Sequence, residues 1–308
     1  MQEGSKKAIA AAFVANLGIA IAKFIGFAIT ASSSMLAEGI HSVADTSNQG
    51  LLFLGGAKAR RAPSATHPFG YARERYFWSF IVSLVLFSVG GLFAVYEGYE
   101  KLRHPEHIDS PAVAFAILGV AIVLEAFSLR TAVREARPLR GDRSWWRFVR
   151  EAKTPELPVV LLEDLGALVG LVFAVCGVGL AVATGNDRWD AVGSIAIGLL
   201  LIVIAVVLAN EMRSLLMGEA ADPDTLERMR AAIVNDESVR RVIHLRTQHL
   251  GPDDLLVAAK VEFAPHLAGA ELADAVDAAE TRLRSAAPIA RLVFLEPDIY
   301  RPEDTLSD

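Results

Sequence analysis

Cysteine is almost missing from this chain: Cys176 is the single one in 308 residues, and it sits in an apolar run. That excludes a disulfide framework and a thiolate-rich zinc module, and it argues against Cu(I), which wants soft sulfur ligands. A phosphate-cradling Gly-rich loop with its Lys is also absent, so no nucleotide-driven cycle is expected. No internal repeat or low-complexity tract stands out, and no His/Asp cluster has hydrolase spacing. The expectation is a protein that is not an enzyme, holds no resident cofactor and binds no nucleic acid.

Apolar sequence is what the chain has in plenty. Hydrophobic residues make up 53% of it, against a formal charge of −6. They concentrate in the first two thirds, in segments of about 20 residues, enough to cross a hydrocarbon core of about 30 Å. Six spans are expected, near Ala8–Thr30, Ser33–Ala57, Tyr76–Leu102, Pro111–Ala132, Leu157–Thr184 and Trp189–Asn210. Only the short run Ala31-Ser32-Ser33-Ser34 joins the first two, which makes them an antiparallel hairpin. The N-terminus enters the first span without a small-residue cleavage site, so it reads as a membrane helix and not a cleaved signal. Lys6, Lys7, Lys58, Arg60, Arg61, Arg73, Arg75, the Arg130–Lys153 stretch and Arg213 fall on one side, predicting cytoplasmic termini. Trp145-Trp146 in the Arg134–Pro155 connection fits an ordinary aromatic belt, with an interfacial helix on anionic headgroups as the competing reading.

From about Ala220 the composition changes to the charged mixture of a water-exposed domain. Asp222-Pro223 predicts a helix start, with Asp as N-cap and Pro in the first turn. Strands follow at Val239–Leu250 and Leu255–Ala264, joined by Gly251-Pro252-Asp253-Asp254, then a helix at Ala270–Ser285 and a strand at Ala290–Glu296. The fold expected is an all-α six-helix transmembrane domain over residues 1–214. A small α+β (α-β-β-α-β, ferredoxin-like) cytoplasmic domain follows over residues 215–308. Such a small sheet needs another packed surface, and a twin copy provides it, so a homodimer through the tail is expected.

Ionisable residues inside the second span are the most informative. A charge at a bilayer centre costs about 2.5–3.5 kcal/mol on insertion scales, so it persists where it pairs or lines a path. Glu38, His41 and Asp45 stand at i, i+3 and i+7 on one helix face. Asp45 lies about 18 Å below the outer end of its span, and Glu163 and Asp164 lie about 10–12 Å above the inner end of the fifth. These carboxylates are thus expected to be level. An imidazole with several carboxylates suits a divalent transition metal. Glu163 and Asp164 point about 100° apart, so one is expected as a ligand and the other as a proton carrier or salt-bridge partner. Asn48, Gln49 and Glu125 fit supporting roles. Lys23 is expected to snorkel to the outer interface, with neutralisation of a carboxylate such as Glu38 as the alternative.

The run Ser33-Ser-Met-Leu-Ala-Glu-Gly-Ile-His-Ser-Val-Ala-Asp45, followed by His67-Pro-Phe-Gly-Tyr-Ala-Arg73, closely resembles the cation diffusion facilitator family. The likeness runs over nearly the whole chain. It implies a dimeric, proton-coupled exporter of Zn²⁺ or a related divalent ion from the cytoplasm, working by alternating access. It also implies a metal site at His41, Asp45, Asp164 and Glu163. The metal ion is then a transported substrate, and protons and the lipid bilayer are its other partners. Where relatives commonly carry a fifth-span histidine, this chain has Val160, in the run Val160-Leu-Leu-Glu-Asp164 that looks like the zinc-transporter-nine branch. That change opens the case for Mn²⁺, Fe²⁺ or Co²⁺. His67 and His249 stand as accessory metal candidates, but Tyr71 and Phe294 replace residues that are commonly histidine. His244 and His266 read as surface or packing residues, and a tail that does not sense zinc is expected. A non-transporting partner subunit is the rival reading, favoured by the lost histidine and opposed by the retained Asp45, Asp164 and Glu163. The Ala- and Arg-rich composition without a transit peptide suggests a prokaryotic inner membrane.

Overall fold

Long apolar stretches leave a buried backbone one economical solution, which is to satisfy every amide within a helix. The computed structural model describes residues 3–30, 33–105 and 110–301, with side chains described from residue 9 except 26, 27, 29, 30, 33–41 and 44. Up to Met217 the described chain is helical: α1 (Glu3–Thr30), α2 (Ser33–Lys58), α3 (Glu74–Val85), a π-helical segment (Leu86–Leu92), α4 (Phe93–Arg103), α5 (Pro111–Arg140), α6 (Trp145–Glu151), α7 (Glu156–Thr184) and α8 (Arg188–Met217). Four helical runs among the described residues are long and apolar enough to cross a membrane: Glu74–Arg103, Pro111–Arg140, Glu156–Thr184 and Arg188–Met217. Among the described residues, α1 adds the shorter apolar stretch Ile9–Ile25.

Local signals set the ends. Pro111 opens α5, where its missing N–H costs nothing. Gly185 closes α7 in the left-handed region, at φ 65°. Two ends differ from expectation. α5 continues two turns past Ala132, through Arg137 to Arg140, and α8 continues to Met217. Both extensions carry charges that break an apolar run while the helix itself goes on. The Arg134–Pro155 connection therefore begins as helix, and its centre is the short α6, with the Ser144 hydroxyl accepting the Arg147 amide at 3.2 Å.

The chain divides into two compact units, residues 1–63 with 74–213 and residues 64–73 with 214–308. In the first, many apolar side chains point outward, Val14 and Val123 among them, while Asn48, Gln49, Glu125, Glu163 and Asp164 are buried. That inverted pattern suits an apolar solvent. Close backbone approach welds α8 to the Glu74–Arg103 run. A Cβ on Gly98 would lie 2.9 Å from the Ile195 amide nitrogen, and one on Gly198 would lie 2.7 Å from that of Val95. Only glycine fits at either place.

The second unit carries α9 (Pro223–Val234), β1 (Val239–Gly251), β2 (Asp254–Phe263), α10 (Ala270–Ala286) and β3 (Ala290–Pro297). The sheet order is β1-β2-β3. β1 and β2 pair antiparallel across a two-residue turn, with Leu245 opposite Ala259. β2 and β3 pair parallel, with Val257 opposite Val293, so α10 serves as the crossover. Alternate residues of β2, from Leu255 to Phe263, face Met229 and Ile233 of α9 and Ala279 and Leu283 of α10. Arg282 donates to the Ala232 and Ile233 carbonyls and so closes the end of α9.

Asp222 caps the start of α9, accepting the Thr225 amide at 2.9 Å and its hydroxyl at 2.8 Å. Partial burial pushes the Asp222 carboxyl up, but the Thr225 hydroxyl and amide outweigh it and hold the group below the usual carboxylate range. Asp222→Ala should cost about 1 kcal/mol, read as faster hydrogen exchange in the α9 amides. The cap's contribution is present above the unfolded carboxyl pKa, about 4, and is lost as pH falls through the lower folded value. Exchange in α9 that is equal in the two proteins at pH 7 would contradict this role.

Candidate functional site

At one end of a cavity of ≈ 250 Å³, four helices bring polar and ionisable side chains together. α1 supplies Lys23, α2 supplies Ser42 and Asp45, α5 supplies Glu125, and α7 supplies Glu163 and Asp164. The spacing explains each placement. Ser42, Asp45 and Gln49 follow the i, i+3, i+7 stripe of α2, and Glu125 and Ser128 stand one turn apart on α5. Glu163 and Asp164, adjacent in sequence, diverge as a helix requires, yet both reach the cavity wall.

Hydrogen bonds hold the two α7 carboxylates differently. Glu163 is strapped to α2: Asn48 Nδ2 donates to its Oε1 at 2.9 Å, and Gln49 Nε2 donates to its Oε2 at 2.8 Å. Asp164 is tied to α5, where Ser128 Oγ donates to Oδ2 at 2.6 Å. Glu125 Oε2 has no hydrogen-bond partner among the described residues, although it is buried. Lys23 is 8% exposed, and its Nζ donates to Ser42 Oγ at 3.0 Å. It does not snorkel. The ammonium turns inward because Asn16, Ile19 and Lys23 share the cavity face of α1, while Val14 and Ile21 hold the outer face.

The cavity reaches far in one direction only. Along α7 its lining runs from Glu163 to Val178, about 22 Å at 1.5 Å per residue. At the far end it includes Glu97, Lys101 and Asp190, and Lys101 Nζ lies 3.2 Å from Glu97 and 3.5 Å from Asp190. In the other direction it is shut. About 10 Å below Glu163, Arg75 pairs with Glu156 through Nε at 2.6 Å and Nη2 at 2.8 Å, both side chains being buried. Tyr76 Oη donates to the Lys153 carbonyl at 3.2 Å, and Leu52, Leu157, Val159 and Val160 pack in the apolar cluster at this end.

Of the residues singled out from sequence, Asp45, Glu163, Asp164 and Glu125 line one cavity, and Asn48 stands directly behind Glu163. The side chains of Glu38 and His41 lie outside the described residues. Among the described residues, no three His, Cys, Asp or Glu side chains gather closely enough to hold an ion by themselves. His67 stacks on Tyr71 with ring centroids 4.5 Å apart, and Thr66 Oγ1 lies 3.1 Å from its Nδ1. His249 is buried, with Nδ1 3.3 Å from the Gly251 carbonyl oxygen. Sequence reasoning missed the Arg75–Glu156 pair and the roles of Ser42 and Ser128. The i, i+3 spacing of Glu125 and Ser128 was the available sign for the last.

Residues 9–217 match the family described as the cation efflux transmembrane domain, and residues 221–298 match the cation efflux protein, cytoplasmic domain. The chain is 36% identical over 245 residues to the human proton-coupled zinc antiporter SLC30A9, mitochondrial, covering 78% of this chain and 43% of that protein. It is 29% identical over 263 residues to metal tolerance protein C4 of Arabidopsis thaliana, covering 84% and 57%. It is 22% identical over 258 residues to the manganese efflux system protein MneP of Bacillus subtilis, covering 82% of each. The chain thus spans less than half the length of the animal relatives it matches.

The amide strap on Glu163 has a measurable cost of removal. Asn48→Ala or Gln49→Ala should each lower stability by about 2 kcal/mol, within the range for leaving a buried polar group without its partner. Thermal unfolding in detergent checks this, and Ser47→Ala on the exposed side of the same helix is the control that should stay within about 0.5 kcal/mol.

Proposed function

The chain belongs to the cation efflux family, and on that premise we propose that it exports divalent transition-metal ions, Zn²⁺ foremost, in exchange for protons. One observation carries the reading: four carboxylates from three helices gather at the closed end of a single cavity that extends toward the other end of the bundle. Such a cavity is one half of an alternating-access cycle. Asp45 and Asp164 are the proposed ligands, with His41 adding an imidazole. Asp164 is the better ligand of the α7 pair, because Glu163 already has both oxygens engaged by amides. Glu125, with an oxygen unpaired among the described residues, supports the ion or carries a proton.

Ligands must lose protons to bind a metal, so loading releases protons and acidification returns them as the ion leaves. That links metal to protons without any covalent chemistry, and transport instead of catalysis is the proposed activity. The donor set leans to oxygen, since Val160 lies in the apolar cluster where an imidazole would widen zinc preference. Mn²⁺, Fe²⁺ and Co²⁺ are therefore included among the proposed substrates, and a manganese efflux protein stands among the relatives.

The remaining expectations form part of the same proposal. α1 and α2 complete a six-span domain with cytoplasmic termini, supported by the one-sided Lys and Arg. The tail is a ferredoxin-like dimerisation module, supported by a small three-stranded sheet and by the exposed Phe294 on its edge strand β3. A prokaryotic inner membrane is the proposed location, supported by composition.

Asp45→Ala and Asp164→Ala should each cut zinc flux into proteoliposomes under an imposed pH gradient by more than tenfold, with the elution profile unchanged. Undiminished flux in both variants would refute the site. A second measurement addresses the closed end. In a chain with Cys176 replaced by serine, Val160→Cys should react slowly with an aqueous thiol reagent, and adding Glu156→Gln should speed that reaction at least tenfold. Equal rates would show that the Arg75–Glu156 pair seals nothing.

A further inference from the structure

A lysine is an odd lining for a cation pathway, because its fixed charge repels the cargo. Lys23 is nonetheless inside, with its stem buried along α1 and its ammonium at the cavity wall beside Ser42, three residues before Asp45. Lys23 stands seven residues before the end of α1, about 10 Å of helix, within the range in which lysines near helix ends snorkel to the interface. The inward position is instead stabilised by the Ser42 hydroxyl and by the carboxylates that share the cavity.

We propose that Lys23 is a tethered counter-cation of the transport cavity, setting how tightly the divalent ion is held. The inference rests on the proposed transport site and adds a residue to it. With the ion gone, the ammonium offsets part of the negative charge of Asp45, Glu125, Glu163 and Asp164. With the ion present, the two positive centres repel each other across a short, poorly screened path. Binding is therefore weaker than the carboxylates alone would make it, and release is faster. Without such a charge the proposed ligands, Asp45 and Asp164, would release the ion more slowly. Lys23 acts through the field it sets and not by touching the ion, so it is a positioning and affinity-setting residue.

The test uses the full-length protein in nanodiscs, with Zn²⁺ binding measured by calorimetry, and in proteoliposomes, with flux resolved into KM and kcat. Lys23→Met and Lys23→Gln should bind Zn²⁺ at least tenfold more tightly, on the order expected for a +1/+2 pair at intermediate dielectric. Their KM should fall and their kcat should fall with it. Lys23→Arg should stay within about threefold of the parent on all three readouts. A merely structural lysine would give the opposite sign, since loosening the site weakens binding. Folded neutral variants with unchanged or weaker binding would overturn the proposal. So would loss of the folded state in both neutral variants while Lys23→Arg stays folded. Asp45→Ala separates the two readings. If it binds Zn²⁺ like the parent, the site itself is wrong; if it loses binding and Lys23→Met does not gain it, only the role of Lys23 fails.

Discussion

Every buried charge in an apolar slab must be answered by something within reach, and that constraint organises the whole helical unit. The hydrocarbon environment makes an unanswered carboxylate costly. Glu163 is answered by two amides from α2, Asp164 by a hydroxyl from α5, and Glu156 by the guanidinium of Arg75. Each answer comes from a different helix, so the polar interior also fixes which helices are neighbours. Apolar side chains do little to specify partners in a bilayer, because lipid tails serve as well as leucine. Here the polar contacts and the glycine contacts of α8 carry that specificity.

The two ends of the helical unit solve the same problem in opposite ways. Where α7 begins, a bidentate ion pair is dry, buried and flanked by leucine and valine. Where α7 finishes, Lys101 shares its charge between Glu97 and Asp190 on partly exposed side chains. A buried pair is expensive to break because each charge would be left alone, while a wet pair loses little. The end where α7 begins is therefore the harder of the two to pull apart.

Much of this was legible in the sequence, for reasons that can be named. Long apolar runs marked the helices, and the Asp222-Pro223 and Gly251–Asp254 signals marked the tail to within a residue or two. Depth arithmetic brought Asp45 level with Glu163 and Asp164, and the three do line one cavity. What stayed hidden depends on direction in space. Hydropathy ends a span where charges crowd, as at Arg134, Glu135 and Arg137, so it missed the last two turns of α5. A lysine near a helix end looks the same whether its side chain climbs out or turns in, and Lys23 turns in. Arg75 and Glu156 read separately as a positive-inside residue and a first-turn acid, because nothing in one dimension pairs them. Ser42 and Ser128, which bond Lys23 and Asp164, are small hydroxyls, and only the i, i+3 spacing of Ser128 from Glu125 hinted at either.

The run from Glu74 to Arg103 is interrupted by a π-helical stretch at Leu86–Leu92. Its lower half buries Tyr76, Ser79 and Val82, and its upper half presents Phe93, Glu97 and Lys101 to the cavity. A π segment bonds each amide one residue further along the chain than an α-helix does. Converting those bonds to the α pattern would turn the upper half about its own axis while the lower half stayed seated. The π segment thus lies between the buried Arg75–Glu156 pair at one end of the run and the partly exposed Lys101 cluster at the other.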